Sequence, residues 1–130
     1  MRQAARHVTQ LYDQCLARSG LRATQFAILS TLRRTGPLQI NVLARELVMD
    51  RTTLGRTVQP LQREGLIAVK PGKGDRRAKQ LHLTQAGTTR LRLAQKGWTQ
   101  AQDRFEQAYG ADKASALRGL LRQVTASDLS

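Results

Sequence analysis

The sequence predicts a mainly α-helical fold carrying one small β-hairpin, on three observations. Apolar residues recur at helical spacing along most of the 130 residues. Two short runs read instead as strands: the partly β-branched Leu66-Ile67-Ala68-Val69-Lys70, and Lys79-Gln80-Leu81-His82-Leu83, which alternates with period two. Between them, Pro71-Gly72-Lys73-Gly74-Asp75-Arg76-Arg77 is punctuated as a loop by Pro and Gly. With 40% apolar and 24% charged residues, the chain can bury the core of one domain.

The elements follow in order. Val8, Leu11, Tyr12, Cys15 and Leu16 form the stripe of a first helix, about Gln3–Arg18, ended by Ser19-Gly20. Thr24 is the expected N-cap of a second helix carrying Phe26, Ile28, Leu29 and Leu32 and stopping at Gly36-Pro37. A short third helix covers Ile40–Leu47, with Gln39 at a cap site where Ser or Thr would serve better. Val48-Met49 make a turn, and Asp50 caps a fourth helix, Arg51–Glu64, closed by Gly65. Pro60 is expected to kink its C-terminal half and to leave the first two turns undisturbed. After the hairpin, Thr84 caps a long fifth helix in which Leu91, Ala94, Trp98, Ala101, Phe105 and Ala108 form a heptad-like seam. Gly110 breaks that helix, and Leu117, Leu120, Leu121 and Val124 mark a last one.

Lys and Arg number 22 against 9 acids, a net charge of +13, which calls for a polyanionic partner. The charge is concentrated. Residues 51–79 hold eight basic and two acidic side chains, a net +6 in 29 residues. No run approaches 18 uncharged apolar residues, so no spanning helix and no membrane partner are expected. The start, Met1-Arg2-Gln3-Ala4-Ala5-Arg6-His7, lacks the apolar stretch of a signal peptide, which points to the cytoplasm. One Cys and two His exclude an internal disulfide and argue against a metal site. The scattered carboxylates, the absence of a phosphate-binding Gly motif and the scarcity of His argue against an enzyme; no cofactor is expected.

Over residues 38–83, a short helix, a tight turn, a second helix and a basic-tipped hairpin follow in the order of a winged helix-turn-helix. A helix fits the DNA major groove, and its N-terminal residues reach base edges. Arg51, Thr52, Thr53 and Arg56 occupy those turns, offering guanidinium donors, small hydroxyls and methyl surface. Gly55 removes bulk beside them. Arg76 and Arg77, with Lys73, form a loop tip able to enter the narrow, electronegative minor groove, and Asp75 would pair with or orient a neighbouring Arg. The expected function is therefore a DNA-binding regulator. The alternative is a basic winged helix serving protein interaction or a ribonucleoprotein.

Leu43-Ala44, Met49-Asp50-Arg51-Thr52-Thr53-Leu54, Leu61-Gln62-Arg63-Glu64-Gly65-Leu66, Asp75-Arg76-Arg77 and Leu83-Thr84-Gln85-Ala86-Gly87 together resemble the multiple-antibiotic-resistance regulator (MarR) family. The resemblance covers the whole chain. It implies a homodimeric transcriptional regulator, a repressor, on a pseudo-palindromic operator in double-stranded DNA, released by a small aromatic effector or an oxidant. It makes Arg77 the minor-groove residue and Asp75 its stabiliser. It also implies one domain over 1–130, with residues 24–88 as the winged unit and 1–20 and 89–127 as dimerisation helices. Independently of it, the stripe on the first helix and the seam on the fifth need partners; pairing the first, fifth and last helices across a two-fold axis would bury them, and the alternative is an intrachain core.

Tyr12 and Cys15 are the candidate effector or redox residues. Cys15 lies on an apolar stripe and has no second Cys, so a small buried hydrophobe is the expected role; a sensor needs a lowered thiol pKa. His82 is expected to face solvent or DNA. Trp98, Phe105 and Tyr109 are expected in the core, with an effector pocket as the alternative.

Overall fold

A computed structural model describes residues 1–130. The order is α1 (Arg2–Leu16), a 3-10 turn (Ala17–Ser19), α2 (Ala23–Thr35), β1 (Leu38–Gln39), α3 (Ile40–Leu47), α4 (Arg51–Arg63), β2 (Ile67–Pro71), β3 (Lys79–Leu83), α5 (Gln85–Tyr109) and α6 (Ala111–Ala126). The architecture is mainly helical with a small antiparallel sheet, the winged helix-turn-helix with flanking helices expected from the sequence. No helix is long and apolar enough to cross a membrane.

The sheet holds one strand more than expected, in the order β1-β3-β2. β2 and β3 pair as a hairpin with Ala68 opposite His82 and Val69 opposite Leu81. On the far side of β3, Leu38 pairs with Leu81 and Gln39 with Gln80. Two residues carry no periodicity of their own. β1 exists only because β3 presents a free edge, so local sequence could not announce it.

The start of α2 also departs from expectation. Arg22, not Thr24, is the N-cap, and Ala23 is already helical. The free N–H of Ala23 donates to the carboxylate of Asp13 on α1 at 2.7 Å, and the N–H of Arg22 donates to Gln25 at 3.0 Å. A side chain ten residues back thus supplies the cap acceptor that Thr24 was expected to provide.

A 16-residue cluster forms the core; Leu43 of α3, Leu54 and Leu61 of α4, Leu29 of α2 and Leu91 of α5 are fully buried in it. Truncating any one of these to Ala would cost about 2–5 kcal/mol. This core seats α4 against α3 and the sheet, which fixes where the fourth helix points its exposed face. Pro60 lies inside α4, which runs on to Arg63; its ring removes one ladder bond, and the turns before it are intact. At the joint beyond, Gly65 has φ of 74°. Thr84 locks this joint: its hydroxyl donates to the Gly65 carbonyl at 2.6 Å and accepts from the Gly87 N–H at 3.0 Å, capping α5 as expected.

Much of the α5 seam is satisfied within the chain. Leu91, Ala94 and Ala101 are buried against α1 and α2. Trp98 stacks on Phe26 with ring centroids 4.5 Å apart and meets Tyr12 at the same separation. A Cβ built on Gly97 would overlap the carbonyl oxygen of Cys15, so α1 and α5 cross in near backbone contact there. Trp98 and Phe105 are half-buried, and Ala108, at the end of the seam, is exposed. On α6, Leu120, Leu121 and Val124 stay exposed at 58%, 54% and 49%.

Candidate nucleic-acid interface

The fourth helix begins where two peptide groups force it to. Val48 ends α3 in the left-handed region, with φ 52° and ψ 49°, and reverses the chain. Asp50 then caps α4: its carboxylate accepts from the Thr53 N–H at 2.8 Å and from the Thr53 hydroxyl at 2.6 Å. These bonds, the hydroxyl's first, hold the Asp50 carboxyl below its ordinary value of 3.8. The Thr53 hydroxyl hydrogen is therefore engaged, leaving its methyl and an oxygen lone pair for any partner. Arg51, Thr52 and Arg56 are exposed.

The wing tip is built by one aspartate. The Asp75 carboxylate accepts from the Arg77 backbone N–H at 2.9 Å, and the Asp75 carbonyl accepts from the Ala78 N–H at 3.1 Å. Gly72 closes the loop by donating to the Ala78 carbonyl at 2.9 Å. Asp75 thus shapes the turn through the main chain, not by pairing with a guanidinium. The chain's ion pairs are Arg34–Glu46, Arg90–Glu64 and Arg118–Glu106. Arg51, Arg56, Lys73, Arg76 and Arg77 take part in none of them and are all exposed. Their charges are unneutralised by the protein.

Helix and wing meet across a groove of about 390 Å³. Arg51, Gly55, Gln59 and Gln62 line it from α4, and Arg77 and Lys79 from the wing. Gln39 and Asn41, at the start of α3, complete it; no carboxylate does. A Cβ on Gly55 would meet nothing within 4 Å, so the groove wall is open there. Arg51 therefore shares a face with the wing, whereas Thr52 and Arg56 do not line the groove. Gln39, Asn41, Gln59, Gln62 and Lys79 were not singled out from sequence as interface residues. The i, i+4, i+8 spacing of Arg51, Gly55 and Gln59 could have marked one α4 face, but only the tertiary fold sets the wing opposite it.

The other candidates lie elsewhere. Tyr12 packs on Trp98, and burial pushes its phenol above 10.0 against the opposing pull of Arg118. Cys15 is half-buried rather than buried, because the crossing at Gly97 places its backbone, not its thiol, at the point of contact. His82 is half-buried and its Nε2 is buried without a hydrogen-bond partner, so it does not face solvent as expected. Trp98 is filled in by Phe26 and Tyr12, while Phe105 and Tyr109 stack with centroids 5.3 Å apart and line a groove against α1.

The profile of the MarR family matches residues 21–79. The HTH-type transcriptional repressor NicR of Pseudomonas putida is 27% identical over 128 residues, 98% of this chain and 81% of that protein. The M. tuberculosis transcriptional regulator MosR is 30% identical, with a TM-score of 0.80 over 97% of this chain and 93% of its own. The transcriptional repressor CouR, solved bound to a 23-mer DNA duplex, is 27% identical with a TM-score of 0.87, over 95% of this chain and 87% of its own. With the profile falling on the helix-turn-helix and wing, and these relatives aligned from the first helix to the last, the chain belongs to the MarR family.

Proposed function

We propose that the chain is a sequence-specific, duplex-DNA-binding transcriptional regulator of the cytoplasm, a homodimeric repressor on a pseudo-palindromic operator. The observation that carries this is the acid-free groove between Arg51 on α4 and Arg77 on the wing. A duplex that receives α4 in its major groove and the wing in the next minor groove must pass one sugar-phosphate strand between them. Arg51 and Lys79 then neutralise phosphates, with Asn41 and Gln59 as neutral donors. Thr52 and Arg56, on the helix face away from the groove, read base edges, and Thr53 adds methyl contact. Arg77 enters the minor groove from a turn that Asp75 pre-forms, and Lys73 and Arg76 hold the flanking backbone. NicR and CouR are both named as repressors, and CouR was solved on DNA, which supports the same use of this fold.

The exposed Leu120, Leu121 and Val124 of α6 supply an apolar face for the second subunit, with the Phe105–Tyr109 end of α5 beside it. A small effector or an oxidant that favours one spacing of the paired recognition helices would release the operator. A protein-interaction role would leave the matched cations of helix and wing without use.

Arg77→Ala tests the reading. Binding to operator duplex should weaken, and the slope of log affinity against log salt should fall by about one. An unchanged slope removes the wing from the interface.

A further inference from the structure

Gly55 stands in the middle of α4, and nothing in the folded chain accounts for it. Its backbone is ordinary helix without positive φ, so no turn demands a glycine there. No neighbour demands one either, because an added Cβ would meet no atom within 4 Å. At Gly72, Gly87 and Gly97, by contrast, a Cβ would strike a carbonyl oxygen. A mid-helix glycine is less favourable than alanine, since it surrenders more backbone freedom on folding and leaves its peptide groups open to water. The fold gains no contact in return. The surroundings of Gly55 point outside the chain. It lines the groove between α4 and the wing, one turn after Arg51 and one turn before Gln59, with Arg77 and Lys79 lining the wing side. Donors thus flank a stretch of helix that has no side chain. Behind it Leu54, Val58 and Leu61 are buried, so α4 is pinned to the core and cannot back away from whatever enters the groove.

We propose that Gly55 is the point of closest approach between α4 and the DNA, where the sugar-phosphate chain of one strand packs directly on helix backbone. The inference rests on the reading of this groove as the duplex site. Without a Cβ, the strand comes nearer to the helix axis by about the width of a methyl group. That brings its phosphates within reach of Arg51 and Lys79 and lets α4 sink deeper into the major groove. Gly55 makes no polar contact of its own. It is a positioning residue, acting through the side chains on either side of it.

Stability and binding should therefore move in opposite directions. The probe is a duplex enriched from a random-sequence pool by repeated selection on the wild-type chain. Gly55→Ala should raise the urea midpoint of unfolding, measured at equal protein concentration, because the helix gains and no atom is struck. The same variant should bind the duplex about tenfold more weakly, the effect of one methyl forced into a contact that cannot recede. Gly55→Val, with more bulk at the same point, should lose more. Because the contact is with backbone, Gly55→Ala should enrich the same sequence from the pool as the wild type does. A midpoint that falls would place the need for glycine in the fold. An affinity equal to the wild type's would leave the bare helix without a strand to meet. A changed sequence would put a base edge over Gly55. Each of these overturns the proposal while the wild type still binds; a wild type that enriches no duplex overturns the reading of the groove together with it.

Discussion

The Asp50 carboxylate holds both the backbone N–H and the hydroxyl of Thr53, at 2.8 Å and 2.6 Å, and so fixes the first turn of α4. These bonds favour the ionised acid and hold its pKa below 3.8 in the folded chain. A lowered folded value means that the stabilisation is complete above the unfolded value of 3.8 and is lost as pH falls through the folded one. Asp50→Asn keeps a cap acceptor and removes the titration. Urea midpoints should therefore drop less for the variant than for the wild type between about pH 6 and pH 3. Parallel losses in the two proteins would deny the cap its pH dependence.

Val48 is a β-branched residue in the left-handed region, φ 52°, and is 75% exposed. It makes the turn of the helix-turn-helix against its own preference and buries little in return. Val48→Gly should stabilise the chain by about 1 kcal/mol, the usual relief from such backbone strain. Equilibrium denaturation measures it, and a loss of stability would show that the valine's contacts outweigh the strain.

At Gly97 the sign reverses. Any Cβ there overlaps the Cys15 carbonyl, a backbone atom that cannot swing away. Gly97→Ala should destabilise the fold by about 1–3 kcal/mol through separation of α1 from α5. Helix propensity alone would predict a gain of about 1 kcal/mol from the same change, so thermal denaturation distinguishes the two terms by sign.

Arg56 lies on α4 outside the groove shared with the wing. If it reads a base, Arg56→Ala lowers discrimination between operator and random duplex by about 1–3 kcal/mol. Arg51→Ala, on the groove face, should weaken both duplexes alike. Competitive titration of each variant against the two DNAs separates the roles, and equal losses for Arg56→Ala would make it a phosphate contact.

The helices α1, α3, α4 and α5, the hairpin strands, the caps at Asp50 and Thr84 and the stop at Gly110 were legible in the sequence. Each rests on a local rule: apolar spacing, a side-chain oxygen within three residues of a free N–H, or a residue able to adopt positive φ. So was the concentration of basic charge at a helix start and a hairpin tip, since both lie within one 29-residue window. What local rules could not reach was decided by the tertiary structure. Strand β1 depends on an edge that β3 offers from 43 residues away, at Leu38 opposite Leu81. The cap of α2 comes from Asp13 on another helix. The α5 seam, read as a face awaiting a partner, closes largely on α1 and α2 because Gly97 admits the Cys15 backbone. The same crossing leaves Cys15 half-buried beside Arg18, three positions on, and beside Lys96 and Arg104, 81 and 89 positions on. Sequence spacing determines which side chains share a face of one element; which faces then meet, and what space they leave, is set by packing between elements distant in the chain.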